Sequence, residues 1–121
     1  MSAALRVLVA DDNRDAALTL GILLRSEGYD VRLALGGKEA MSAALEARPD
    51  VALLDLHMPD YSGLQVAQEL QRHFSGDCPL LVAVTARAQD RQQAEISGFH
   101  HFVPKPYDPR ALLTLLASLR R

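Results

Sequence analysis

The chain has 121 residues, which suits one domain around one core. Apolar residues make up 49% of it and the formal charge is −2, too weak a field to argue for direct nucleic-acid binding. No apolar run is long enough to insert into a bilayer, no signal-peptide pattern opens the chain, and the single cysteine, Cys78, cannot form an internal disulfide; a cytoplasmic setting is the expectation.

Short apolar runs alternate with amphipathic stretches. Residues 5–10 (LRVLVA) read as a buried strand. Residues 13–27 follow as a helix with Ala16, Leu20, Leu23 and Leu24 on one face, and Gly28 is a suitable stop. Residues 30–35 form a looser second strand. Residues 37–48 are predicted helical, with Ala40, Met41, Ala44 and Leu45 inward, until Pro49 disfavours further helix. Residues 51–54 are a short, wholly apolar third strand. A helix over 63–73 carries Leu64, Ala67 and Leu70. The fourth strand is 80–84, a polar helix spans 88–97 before Gly98, and the fifth strand is 101–103. Asp108 and Pro109 begin a last helix that carries Leu112, Leu115, Leu116 and Leu119 and runs almost to Arg121.

Five strand–helix pairs in succession predict a parallel sheet covered on both faces. The architecture expected is α/β, the flavodoxin-like doubly wound fold with strand order 2-1-3-4-5. There the first and third strands meet at a switch point, and ligands bind beyond the carboxyl ends of the strands.

Polar residues collect at that edge. Asp11 and Asp12 follow the first strand, Asp55 the third, Thr85 the fourth and Lys105 the fifth. Three carboxylates brought together repel, and a hard divalent cation such as Mg2+ relieves the conflict. An ammonium and a hydroxyl can hold phosphoryl oxygens. The set therefore suits phosphoryl transfer to a carboxylate, driven by positioning and charge neutralisation. Singly, each residue has an ordinary explanation: acids before a helix, a cap, a solvated lysine. Ordinary causes rarely align five residues at one sheet edge.

Asp11-Asp12, the run from Asp55 to Gly63 (DLHMPDYSG), Thr85-Ala86 and Pro104-Lys105-Pro106 resemble the receiver domains of two-component signalling, across essentially the whole chain, 1–121. The resemblance implies that Asp55 accepts a phosphoryl group and that Asp12, Asp55 and the backbone carbonyl of His57 ligate Mg2+, with Asp11 reaching the ion directly or through water. It implies that Thr85 and Lys105 hold the phosphoryl oxygens, and that Lys105-Pro106 sits where the family often has a cis peptide. Thr85 and Phe102 are the implied switch pair; lacking a hydroxyl, the Phe102 ring is expected to be held by packing alone. Two positions tune acyl-phosphate lifetime in that family, and the resemblance places His57 and Arg87 there. Neither suits orienting a water, so slow self-dephosphorylation is expected.

The implied phosphate donor is a histidine kinase or histidine phosphotransfer protein, docking near the first helix and the loop after the fifth strand. The implied output surface is the fourth helix, fifth strand and fifth helix, including Gln89, Arg91, Gln92 and Glu95, facing a downstream effector. The run 98–106 (GFHHFVPKP) resembles receivers fused to hybrid sensor kinases. No turnover of a separate substrate is expected.

Three rivals remain at this level. One is an aspartate-based phosphatase, which would want an acid where His57 stands. Another is a phosphorylation-independent interaction module, and the third a flavin protein. Adjacent His100 and His101, read on one strand, point to opposite faces and make a poor metal pair. Cys78 reads as structural, and Gly36-Gly37 lacks phosphate-loop spacing.

Overall fold

Strands with no polar face must be covered on both sides, and this chain supplies the cover in alternation. The computed structural model describes residues 4–119. In chain order it contains β1 (Arg6–Ala10), α1 (Arg14–Ser26), β2 (Asp30–Ala34), α2 (Gly37–Glu46), β3 (Val51–Asp55), α3 (Gly63–Phe74), β4 (Leu80–Thr85), α4 (Arg91–Ile96), β5 (His101–Pro104) and α5 (Pro109–Leu119). All neighbouring strands pair in parallel, in the order β2-β1-β3-β4-β5. The expected architecture is therefore the observed one. The expected extension of the last helix toward Arg121 lies outside the described residues.

Alternation along the strands splits the core in two. Leu8, Ala10, Ala52, Leu54, Leu81 and Ala83 face one side, against Ala40, Ala44, Val66 and Leu70. Val7, Val9, Val51, Leu53, Val82 and Val84 face the other, against Leu20, Leu24, Leu112 and Leu116. The first side pairs strand alanines with helix alanines, which lets α2 lie close. Its buried face is consequently Gly37, Ala40, Ala43 and Ala44, while Leu45, expected inside, is 44% exposed. A small-residue stripe outranks a larger leucine when backbones approach closely.

Local signals set the helix ends. The Asn13 side chain accepts the Ala16 N–H at 3.1 Å and starts α1, and Gly28, at φ 91°, ends it in a conformation that a Cβ would oppose. Ser62 and Gln65 form a reciprocal capping box on α3. Gly63 stands there because a Cβ would come within 2.4 Å of the Asp55 backbone oxygen, so α3 packs directly on the end of β3.

One expected helix is different. Residues 88–97 divide into a 3-10 turn, Ala88–Asp90, and the short α4. The Asp90 N–H closes a tight bond to the Arg87 carbonyl, and the Asp90 side chain caps no helix N–H. His100 also departs from expectation: it precedes β5, and its ring Nδ1 accepts the Leu81 N–H at 2.9 Å.

The start of α2 is capped from a distance. Gly36 offers no side chain, and Asp60, in the loop after β3, accepts the Gly37 and Lys38 N–H groups at 2.8 and 3.0 Å. These backbone donors hold the Asp60 carboxyl down at about 2, from an ordinary 3.8. A depressed carboxyl stabilises the fold above its unfolded pKa, and that stabilisation is lost as pH falls through the folded value. Asp60→Asn should lower the melting temperature at pH 7 and flatten its decline between about pH 4 and pH 2. Parallel melting curves for wild type and variant across that window would contradict the cap.

Candidate functional site

The site sits where the strands end. Asp55 and Thr85 are themselves the last residues of β3 and β4, one step beyond the expected strand ends. Asp55 pairs in register with Val84, and Thr85 with Pro104. The ladders continue past the strands: the Asp11 N–H donates to the Ala34 carbonyl at 3.0 Å, and the Lys105 N–H to the Thr85 carbonyl at 2.7 Å. These bonds fix Asp11 and Lys105 at the same edge as Asp55. The Lys105-Pro106 peptide is cis.

Lys105 Nζ donates to Asp11 Oδ2 at 2.8 Å and to Asp55 Oδ2 at 3.2 Å. Asp55 Oδ1 accepts the His57 N–H at 3.0 Å, and Asp11 Oδ1 accepts the Asn13 N–H at 2.9 Å. Burial pushes the Asp55 carboxyl up; the His57 N–H and Lys105 pull it down, Asp11 pushes it up again, and the outcome is a raised pKa. Burial works against the Lys105 charge, but its bond to Asp11 and the attraction of both carboxylates leave its pKa raised.

Asp11, Asp12 and Asp55 each bring a carboxylate oxygen within 4.8 Å of the others. Asp11 and Asp55 are buried and Asp12 is exposed. One ammonium against three carboxylates leaves the cluster over-negative. Oxygen donors at that spacing, open to water on the Asp12 side, fit a hard divalent cation that keeps part of its hydration.

Thr85 is fully buried, and its hydroxyl donates to Asp90 Oδ2 at 3.0 Å while accepting the Arg87 N–H at 3.2 Å. His57 is exposed, and its Nε2 lies 2.6 Å from the same Asp90 oxygen. Burial pushes the Asp90 carboxyl up, but the bonds from His57 and Thr85 and the nearby His57 and Arg87 side chains prevail and lower it. With Asp90 ionised, His57 Nε2 must carry the proton of that contact. Asp90 was not among the residues singled out from the sequence; an acid five residues after Thr85, ahead of a polar helix, carries no signal of its own.

Phe102 is half-buried on β5, and the Arg91 guanidinium lies 4.8 Å from its ring centroid. Its ring is thus held by a cation–π contact as well as by packing, which corrects the expectation of packing alone. Cys78 is half-buried away from the acidic cluster, and burial raises its pKa, with Arg48 opposing, so its thiol is a poor nucleophile.

Comparison with known proteins agrees with this geometry. The chain is 37% identical to response regulator MprA of Mycolicibacterium vanbaalenii over 96% of its own length and 50% of that protein's. It is 37% identical to the DNA-binding response regulator MtrA of Mycolicibacterium smegmatis, over 96% of this chain and 51% of that one. The chain thus spans about half the length of these curated relatives. Among solved structures, response regulator TrrA of Thermotoga maritima, determined in complex with Mg(2+)-BeF, superposes with a TM-score of 0.86 at 28% identity, covering 96% of this chain and 99% of that one. Chemotaxis protein CheY4 of Vibrio cholerae superposes at 0.89 with 26% identity, covering 98% and 100%. Residues 7–117 match the response regulator receiver domain family, and the chain belongs to that family.

Proposed function

We propose that this domain is a magnesium-dependent phosphorylation switch in which Asp55 accepts a phosphoryl group from the phosphohistidine of a kinase or phosphotransfer protein. The observation that carries this reading is the convergence of Asp11, Asp12, Asp55 and Lys105 at one sheet edge. An Asp55 carboxylate oxygen attacks phosphorus, the P–N bond breaks, and the leaving imidazole nitrogen keeps the electron pair. Asp11, Asp12, Asp55 and the His57 carbonyl would hold Mg2+, which supplies charge neutralisation for the incoming phosphoryl oxygens. Lys105, already bonded to Asp55, would follow one phosphoryl oxygen, and Thr85 would donate to another.

Docking and output take opposite sides of the crevice. A groove of about 660 Å³ runs from Asn13 and from Ala16 and Leu20 on α1 to Lys105, Pro106 and Tyr107, and suits the phosphate donor. A second, of about 300 Å³, lies between α4 and β5, with Arg91, Glu95, His101 and Phe102 on its walls. It suits an effector, with Gln89 and Gln92 exposed beside it. Inward movement of Thr85 would leave space for Phe102, which carries Arg91 with it or sheds it. No helix among the described residues is long and apolar enough to cross a membrane.

Incubation with phosphoramidate should add one phosphoryl mass to the intact chain, only with Mg2+ present, and none to Asp55→Asn. A gain that persists in Asp55→Asn or with the metal chelated would refute the assigned acceptor or its metal dependence. No gain under any condition would favour an interaction module on the same fold.

The lifetime of that adduct should be long, because His57 and Arg87 stand where a water-orienting group is wanted. Arg87→Glu should shorten it by up to about a hundredfold, the low end of what a positioned acid–base group contributes. The decay of the phosphorylated mass with time reads this directly, and an unchanged half-life would remove Arg87 from the account.

A further inference from the structure

Thr85 has one hydroxyl proton to give, and it gives it to Asp90. The receiving oxygen, Oδ2, also holds His57 Nε2. One carboxylate atom therefore joins the loop after β3 to the turn after β4. Asp90 caps no helix N–H, although it precedes α4, so its carboxylate is committed to these two contacts. Its side chain is 20% exposed and that of His57 is 44% exposed, so the Asp90 carboxylate is partly shielded on the Thr85 side and open to water on the His57 side.

A phosphoryl group on Asp55 would call on the hydroxyl proton that Thr85 donates to Asp90. The two acceptors compete for one donor, because the buried Thr85 carries a single hydroxyl proton. We propose that Asp90 is a positioning residue whose carboxylate restrains the Thr85 hydroxyl in the resting state, so that the Asp90–Thr85 bond opposes phosphorylation and its rupture is part of switching. This rests on the reading of Asp55 as acceptor and adds to it a residue that sets the threshold. His57 has a place in the device: when Thr85 leaves, Asp90 keeps the imidazole as a partner, and opening strands no carboxylate.

The test is binding of beryllofluoride, with Mg2+, to the full chain, followed by NMR peak populations. Asp90→Ala should bind about three- to tenfold more tightly than wild type, the range expected when one competing hydrogen bond is removed. Asp90→Asn keeps an acceptor without the charge and should fall between. In a Thr85→Ala background, Asp90→Ala should change nothing, because no hydroxyl remains to restrain. A general loosening of the fold would act in both backgrounds, so the double-mutant comparison separates positioning from structure. Unchanged or weaker binding in Asp90→Ala, or an equal gain with Thr85→Ala, overturns the restraint alone. A wild-type chain that takes up neither beryllofluoride nor a phosphoryl group overturns the receiver mechanism, and the restraint with it.

Discussion

Lys105 holds together residues from the two ends of the chain. Its ammonium bridges Asp11, 94 positions earlier, and Asp55, 50 positions earlier, so a single side chain ties the ends of β1, β3 and β5. The arrangement is costly taken by itself. Two buried carboxylates share one ammonium, a third carboxylate stands within 4.8 Å, and burial disfavours the charges of Asp55 and Lys105. A fold selected for stability alone would put apolar residues here. The sheet around the cluster can carry that cost because both of its faces are buried and apolar, with Leu54 on one face and Leu53 and Val84 on the other.

The same rigidity explains how few residues are needed. Strand register fixes Asp55 beside Val84 and Thr85 beside Pro104, and the extended ladders place Asp11 and Lys105 without any dedicated scaffold. Gly63 brings α3 onto the backbone of Asp55, and Asp60 fastens the intervening loop to the start of α2. The loop after β3 is thus anchored at both ends. Its one exposed contact across the crevice, His57 to Asp90, lies where movement costs least.

What could be read from the sequence was whatever follows from periodicity and strand ends. Apolar runs fixed the sheet and its order, and the next polar residue after each run found Asp11, Asp55, Thr85 and Lys105. Residues whose roles depend on side-chain direction were hidden. Asp60 looks like a loop acid until α2 is seen to begin against it. Asp90 looks like a helix cap, yet the 3-10 turn directs its carboxylate to Thr85 and His57. Arg91 and Phe102 are 11 positions apart, and nothing in their spacing announces a stacked pair. Leu45 misled in the opposite sense, because size suggested burial where close helix packing demanded alanine.

Charge counting at the crevice gives direction to the switch on the proposed reading. Three carboxylates, Lys105 and one divalent cation sum to neutrality. Acyl-phosphate formation removes the Asp55 charge but brings a phosphoryl group carrying about −1.5 to −2. The crevice then turns negative by roughly half to one charge, in a setting too buried for water to screen it fully. Lys105 is already present in both states and adds nothing new to meet the imbalance. That imbalance can be met by turning a dipole inward, and the nearest hydroxyl at a strand end is that of Thr85, held at rest by Asp90. Excess charge at the acceptor thus pulls on the one donor whose departure alters the turn leading into α4. On the proposed reading, a chemical change at β3 reaches the α4–β5 surface by that route, through hydrogen bonds between neighbouring strand ends.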